Sequence, residues 1–180
     1  MEDLSLHILD IVENAIAAKA RKIEISILER PEEDWLSIEI GDDGLGMDEE
    51  VRKKAADPFF TTRASRKVGL GLSLLAQAAQ EAGGTLEIES KPGDGTRVRA
   101  TFQYGHIDRK PMGNMAETIL MLIIGNPDIR FHYTHRKGEK TYSLKSEWWK
   151  ERFPPPRSMS PEAIHWLRKH LLEGLAGIGV

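Results

Sequence analysis

The sequence predicts an α/β fold: a two-layer sandwich over residues 1–104, in which helices cover one face of a mixed sheet, then a small α+β appendage over 105–180. Three observations predict it. Hydrophobic spacing alternates between helical and strand periods in the order α-β-β-loop-α-β-β before residue 104. A chain of 180 residues, 40% hydrophobic and 29% charged, is long enough for one ordinary core and too apolar for a disordered segment. The charge then changes sign near Gly105: residues 1–104 carry 20 acidic and 13 basic side chains, and residues 105–180 carry 8 and 12. Five of the six His and three of the four Trp also fall in the second stretch, which marks it as a different structural unit.

The elements follow in order. Leu4, Ile8, Ile11, Val12, Ala15 and Ile16 recur at helical spacing and predict a helix over 3–20. Alternation of Ile23, Ile25 and Ile27, and again from Trp35 to Ile40, predicts an antiparallel strand pair over 23–28 and 35–40. A Gly- and Asp-rich loop occupies 41–48, and a basic, weakly hydrophobic stretch runs on to Val68. A helix from about Leu70 should stop at Gly83-Gly84. Thr85–Ser90 and Thr96–Phe102 then read as strands around the turn Lys91-Pro92-Gly93-Asp94-Gly95. Beyond Gly105, a helix is expected at about 114–124, a hairpin at 129–134 and 140–144, and a helix from Ser160-Pro161-Glu162 to about Leu172 or Gly174.

With no cysteine there is no disulfide framework and no thiolate chemistry, and no run of 18 apolar residues exists to cross a bilayer. The start Met1-Glu2-Asp3 lacks the layout of a signal peptide, so a cytoplasmic protein without membrane contact is expected. Four excess positive charges spread over residues 105–180 make no phosphate-tracking stripe. A partner protein is therefore expected rather than nucleic acid, its identity and the oligomeric state both open.

Three stretches carry residues suited to chemistry. On the first helix His7, Asp10 and Asn14 lie within about 60° of one another at 100° per residue. A carboxylate and an amide oxygen one turn apart can hold a divalent cation or its waters, although any amphipathic helix has a polar border. The loop Gly41-Asp42-Asp43-Gly44-Leu45-Gly46-Met47 follows a strand directly, and its glycines let backbone approach a flat ligand while a carboxylate at the strand end accepts from an exocyclic amine. It fits neither a phosphate cradle nor an EF-hand, and a plain turn would look similar. Val68-Gly69-Leu70-Gly71-Leu72 opens a helix whose bare amides attract phosphate, with Arg63, Arg66 and Lys67 close by in sequence; a simple loop-to-helix junction is the alternative.

Together these stretches resemble the GHKL superfamily of ATP-binding domains, which contains gyrase, the heat-shock chaperone, the sensor histidine kinases and MutL. Asp10-Ile11-Val12-Glu13-Asn14-Ala15 is similar to its N box, and Asp42-x-Gly44-x-Gly46 to its first glycine box. Asp57-Pro58-Phe59-Phe60-Thr61-Thr62-Arg63 resembles the kinase-type F box, and Gly69-Leu70-Gly71-Leu72 the second glycine box. Gly93-Asp94-Gly95-Thr96 looks like the Gly-x-Gly-Thr ahead of the family's last strand. Five motifs in the family's order over residues 4–102 are far more specific than any one of them.

The resemblance implies the fold named above in its Bergerat form, with ATP and magnesium as ligands. By position it implies that Asn14 binds the magnesium, that Asp42 accepts the adenine amine with Thr96 behind it, and that Gly44 and Gly46 pass beneath the base. It places Gly69, Leu70, Gly71 and Leu72 beside the triphosphate, with Arg63 or Lys67 reaching the terminal phosphate. The hydrolysing members carry Glu four residues before the magnesium Asn, and this chain has Asp10 there, one methylene shorter. Slow hydrolysis with Asp10 as base, and switching of a partner, is therefore expected. An anti-sigma-like protein kinase and a non-catalytic nucleotide sensor are the other readings. With the N box within ten residues of Met1, a complete histidine kinase is not expected.

His132 and His135 should point to opposite faces of one strand and so not share a metal. Trp148, Trp149 and Trp166 are expected as packing anchors of the second stretch, unless exposed, in which case they mark a partner surface.

Overall fold

The computed structural model describes residues 3–55 and 70–180. Its helices are α1 (Leu4–Ala17), α2 (Glu49–Ala55), α3 (Leu70–Glu81), α4 (Met115–Gly125), α5 (Ser146–Arg152) and α6 (Pro161–Ile178). Its strands are β1 (Lys22–Arg30), β2 (Trp35–Asp42), β3 (Leu86–Ser90), β4 (Thr96–Gln103), β5 (Arg130–Lys137) and β6 (Lys140–Lys145).

All six strands form one sheet in the order β3-β4-β2-β1-β5-β6. Every neighbouring pair is antiparallel except β1 with β5, which run parallel from Lys22 opposite Arg130 to Glu29 opposite Lys137. Strand alternation decides which face is covered. Ile23, Ile25 and Ile27 of β1, Ile38 and Ile40 of β2, Val98, Ala100 and Phe102 of β4, and Phe131 and Tyr133 of β5 are all buried in one cluster with the apolar sides of α1, α3, α4 and α6. Glu24, Ser26, Arg97, Arg99 and Ser143, on the alternate positions, face outward and are exposed. This is the mixed sheet with helices on one face that the sequence predicts. The stretch after Gly105, expected as an appendage, continues the same sheet through β5 and β6, and its helices α4 and α6 share the same core.

Helix α1 carries the N box and is fixed at both ends. Asp3 caps it by accepting from the Leu6 amide at 3.0 Å, and the amides of Leu4 and Ser5 donate to the carbonyls of Pro111 and Met112, both at 2.9 Å. At its other end Lys19 turns the chain with a left-handed φ of 63° and directs it into β1.

Candidate functional site

The site is built where α1, the loop after β2 and the start of α3 converge. Asp42 ends β2 on the helix side of the sheet, directly opposite Thr96, the first residue of β4. Its Oδ1 accepts the Gly44 amide at 2.8 Å, and the Thr96 amide also donates to the carboxylate. Half-burial pushes the Asp42 carboxyl above the usual carboxylate range, and those two amides partly offset it. A carboxylate offers about four lone-pair positions, so two amides leave room for a further donor.

The loop around Asp42 is held by neighbours that the motifs do not reveal. Asp43 turns away from the site and accepts the amides of Arg21 at 2.7 Å and Lys22 at 2.8 Å, which holds its carboxyl below the usual range and clips the loop to the start of β1. The Leu45 amide donates to the Ala18 carbonyl at 2.9 Å and joins the loop to the end of α1. Ser90, at the end of β3, accepts from the Met47 amide at 2.8 Å, donates to the Gly95 carbonyl at 2.9 Å and lies 2.9 Å from the Thr96 hydroxyl. Gly46 and Gly95 both have positive φ, 68° and 78°. A β-carbon on Gly46 would sit 2.0 Å from the Lys91 carbonyl oxygen, and one on Gly95 would sit 1.9 Å from that of Asp42. Only glycine lets these two turns nest.

The middle of α1 meets α3. Asp10 is half-buried, and a β-carbon placed on Gly71 would lie 3.0 Å from the Asp10 β-carbon, so the first turn of α3 rests against this carboxylate. Burial pushes the Asp10 carboxyl upward. Asn14 lies one turn further along α1, partly exposed, midway between Asp10 and Ala18. Eight residues of helix separate the Gly71 contact at Asp10 from the Leu45 contact at Ala18, about 12 Å at 1.5 Å per residue.

The structure thus brings Asp42, Gly44, Gly46 and Thr96 together at the C-terminal end of α1 and Asp10 and Gly71 at its middle, and leaves Asn14 between them. Leu72 is buried in the core beneath the first turn of α3, facing the sheet. Leu70 begins α3. Arg63, Lys67 and Gly69, expected beside the triphosphate, lie outside the described residues, as does the stretch resembling an F box. His7 does not join Asp10 and Asn14 at the surface. It is buried, its Nδ1 has no partner among the described residues, and burial pushes its imidazole below the usual range, so it serves the core as a neutral ring. Ser90 and Asp43 are not readable as site residues from the sequence, although Ser90 closes its strand just ahead of the Lys91–Gly95 turn, where a hydroxyl often ties a turn.

A cavity of about 790 Å³ opens on the outer side of the sheet behind this loop, lined among others by Lys22, Glu24, Arg52, Glu89 and Arg97. It shares Asp42 and Thr96 with the site, but neither Asp10 nor Asn14 lines it.

Residues 2–106 match the family described as histidine kinase-, DNA gyrase B-, and HSP90-like ATPase. The chain belongs to this family. As a GHKL protein it has an ATP-binding domain of the histidine-kinase-like type. Among its relatives, the sensor histidine kinase YxdK of Bacillus subtilis is 31% identical over 106 residues, which are 55% of this chain and 32% of that protein. The signal transduction histidine-protein kinase AtoS of Escherichia coli is 38% identical over 96 residues, 53% of this chain and 15% of that protein. The chain thus spans a third or less of these relatives. In fold, the GHKL protein is similar to the Aquifex aeolicus MutL ATPase domain complexed with ADP, with a TM-score of 0.56 at 21% identity, over 92% of this chain and 70% of that one. Among the described residues no helix is long and apolar enough to cross a membrane.

Proposed function

We propose that this GHKL protein binds ATP with magnesium along α1 and hydrolyses it slowly, the nucleotide state changing the surface offered to a partner protein. The observation that carries the reading is Asp10: a half-buried carboxylate raised above its usual range, packed against Gly71 at the start of α3, one helical turn from Asn14. A base works best when its pKa approaches the working pH, and burial moves Asp10 in that direction.

The donor set suits the ligands. In this reading Asp42 accepts the adenine amine, Thr96 supports it from β4, and Gly44 and Gly46 pass beneath the base. The Asn14 amide oxygen, a hard neutral donor at a partly open position, would hold the magnesium ion, which would offset the charge of the triphosphate. The first turn of α3, with Gly69 and Arg63 or Lys67 ahead of it in sequence, receives the phosphates. Asp10 then takes a proton from the attacking water.

The test is phosphate release by purified parent, Asp10→Glu and Asp10→Asn proteins. Asp10→Glu restores one methylene of reach and is expected to raise turnover about tenfold, within the roughly 10²–10⁴-fold a positioned base contributes. Asp10→Asn should remove turnover while ATP still binds. A Glu variant no faster than the parent would remove Asp10 as the base. Phosphate appearing on a co-purified protein would instead favour the anti-sigma-like kinase, and binding without any turnover the nucleotide sensor.

A further inference from the structure

The β5–β6 side of the sheet carries an aromatic and cationic groove that the ATP chemistry does not use. It is an open depression of about 510 Å³ between the end of α5 and the first turns of α6, lined by Arg152, Phe153, Glu162, His165, Trp166 and Lys169. That volume lies within the range of small-ligand and side-chain pockets.

Its floor is a continuous stack of rings. Trp166 lies face to face on His170, with centroids 4.9 Å apart and planes 9° from parallel, and tilts against Phe153 at 5.8 Å. His170 leads on to the buried Tyr142 at 5.7 Å. Trp166 is only partly buried, so one part of its ring remains open to the groove. The stack is anchored rather than loose, because Phe153 belongs to the core and the neighbouring Trp149 donates its indole N–H to the Ala163 carbonyl at 3.2 Å.

The wall is cationic. The Arg152 guanidinium sits 5.0 Å from the Trp166 centroid and 5.8 Å from that of Phe153. Among the described residues it makes no ion pair and no hydrogen bond, so its N–H edges are unspent. Lys169 reaches Glu173 only at 3.7 Å, with both side chains more than 60% exposed, a pair that contributes little and yields easily to a better one. The single carboxylate of the lining, Glu162, is turned to Arg157 at 3.7 Å. The groove thus combines a ring floor with available cationic donors, inside a stretch that carries 12 basic against 8 acidic side chains.

We propose that this groove docks an acidic segment of a partner protein, in which one aromatic or large apolar side chain lies on Trp166 and Phe153 and flanking carboxylates take the Arg152 edge and the Lys169 ammonium. Planar guanidinium over a ring presents its fork sideways, the geometry that a carboxylate accepts in two bonds. Partly exposed Trp and Arg in a pocket are also the residue types that carry binding energy at interfaces. A nucleic-acid strand fits less well, since two permanent cations beside a carboxylate do not follow a phosphate backbone. The proposal is independent of the ATP reading, as none of these residues belongs to that site.

The experiment uses the full chain with its indole nitrogens labelled with ¹⁵N, so that Trp166 reports separately from Trp35, Trp148 and Trp149. The probe is the capped peptide Glu-Asp-Phe-Asp-Glu, compared with Lys-Lys-Phe-Lys-Lys, with Glu-Asp-Ala-Asp-Glu and with a thymidine decamer. The expected result is a saturable shift of the Trp166 indole with the first peptide alone, weakened about tenfold by Arg152→Ala and by 0.5 M salt. Arg152 is exposed, so its loss leaves the fold intact. No Trp166 shift, an equal shift with the basic peptide, or unchanged affinity in Arg152→Ala overturns the proposal. So does a stronger shift with the decamer, which would assign the groove to nucleic acid, or a concentration-dependent shift without peptide, which would assign it to a second copy of the chain.

Discussion

Replacing Asp42 by Asn alters one atom of the proposed adenine end and leaves its volume almost unchanged. In the structure the carboxylate already receives the Gly44 amide at 2.8 Å and the Thr96 amide, so it acts purely as an acceptor in a half-buried position. An Asn side chain has one acceptor oxygen and one donor NH₂. If the oxygen keeps facing the loop amides, the NH₂ confronts the amine of adenine; if it faces adenine, the NH₂ confronts the amides and the loop loosens. Either way one hydrogen bond to a charged acceptor is lost, about 1.5–3 kcal/mol, which is roughly 10- to 150-fold in affinity. The same NH₂ can donate to a carbonyl at the corresponding position of guanine, so the preference for ATP over GTP should disappear. Titration calorimetry with both nucleotides measures this directly, and a thermal melt confirms that the variant is folded. ATP affinity equal in parent and Asp42→Asn would remove Asp42 from the adenine site and with it the assignment of the whole 41–48 loop.

Asn14→Ala, at a partly exposed position on α1, should leave the melt unchanged and abolish the gain in ATP affinity that magnesium provides over chelator; a parent that binds ATP equally in both conditions refutes the metal role. Trp149→Ala empties a fully buried site and removes the indole bond to Ala163, and should cost about 3–5 kcal/mol in urea denaturation. His7 is buried with its imidazole pushed below the ordinary value of 6.5, so the unfolded chain takes up a proton that the folded one refuses. Its contribution to stability is complete above pH 6.5 and is lost as pH falls below it. The urea midpoint should therefore drop between pH 7.5 and 5.5, and His7→Leu should lessen that drop.

How much of the molecule its sequence displays depends on how local each cause is. Helix α1 and the strands β1, β2 and β4 are legible because each buries one side and repeats its pattern with the period of its own backbone. Helix α2 is not, since Glu49–Ala55 buries only Ala55 and is started by the Asp48 carboxylate accepting the Val51 amide at 2.8 Å. Helix α5 follows β6 without a break and has no side-chain cap, so nothing in the sequence marks its start. Helix α6 runs to Ile178, past Gly174 where the sequence predicts a stop, because that glycine answers to packing: the Tyr142 ring fills the space that a β-carbon there would need, 2.1 Å away. In the site, glycine spacing exposes the loop and the start of α3, but the clasp of Ser90 on Met47 joins residues more than 40 positions apart and has no local trace.

The parallel pairing of β1 with β5 has a consequence for anyone who would cut this protein. The stretch matching the ATPase family ends at residue 106, which suggests a minimal domain, yet a cut there would strip β1 of its partner from Lys22 to Glu29. The bared strand would offer a row of unpaired amides and carbonyls on its open side, beside a flank of α1 from which α4 had been peeled away. Sheet edges of that kind recruit other chains. Residues 107–180 therefore act as a selvage, the woven border that keeps the nucleotide-binding cloth from unravelling into its neighbours.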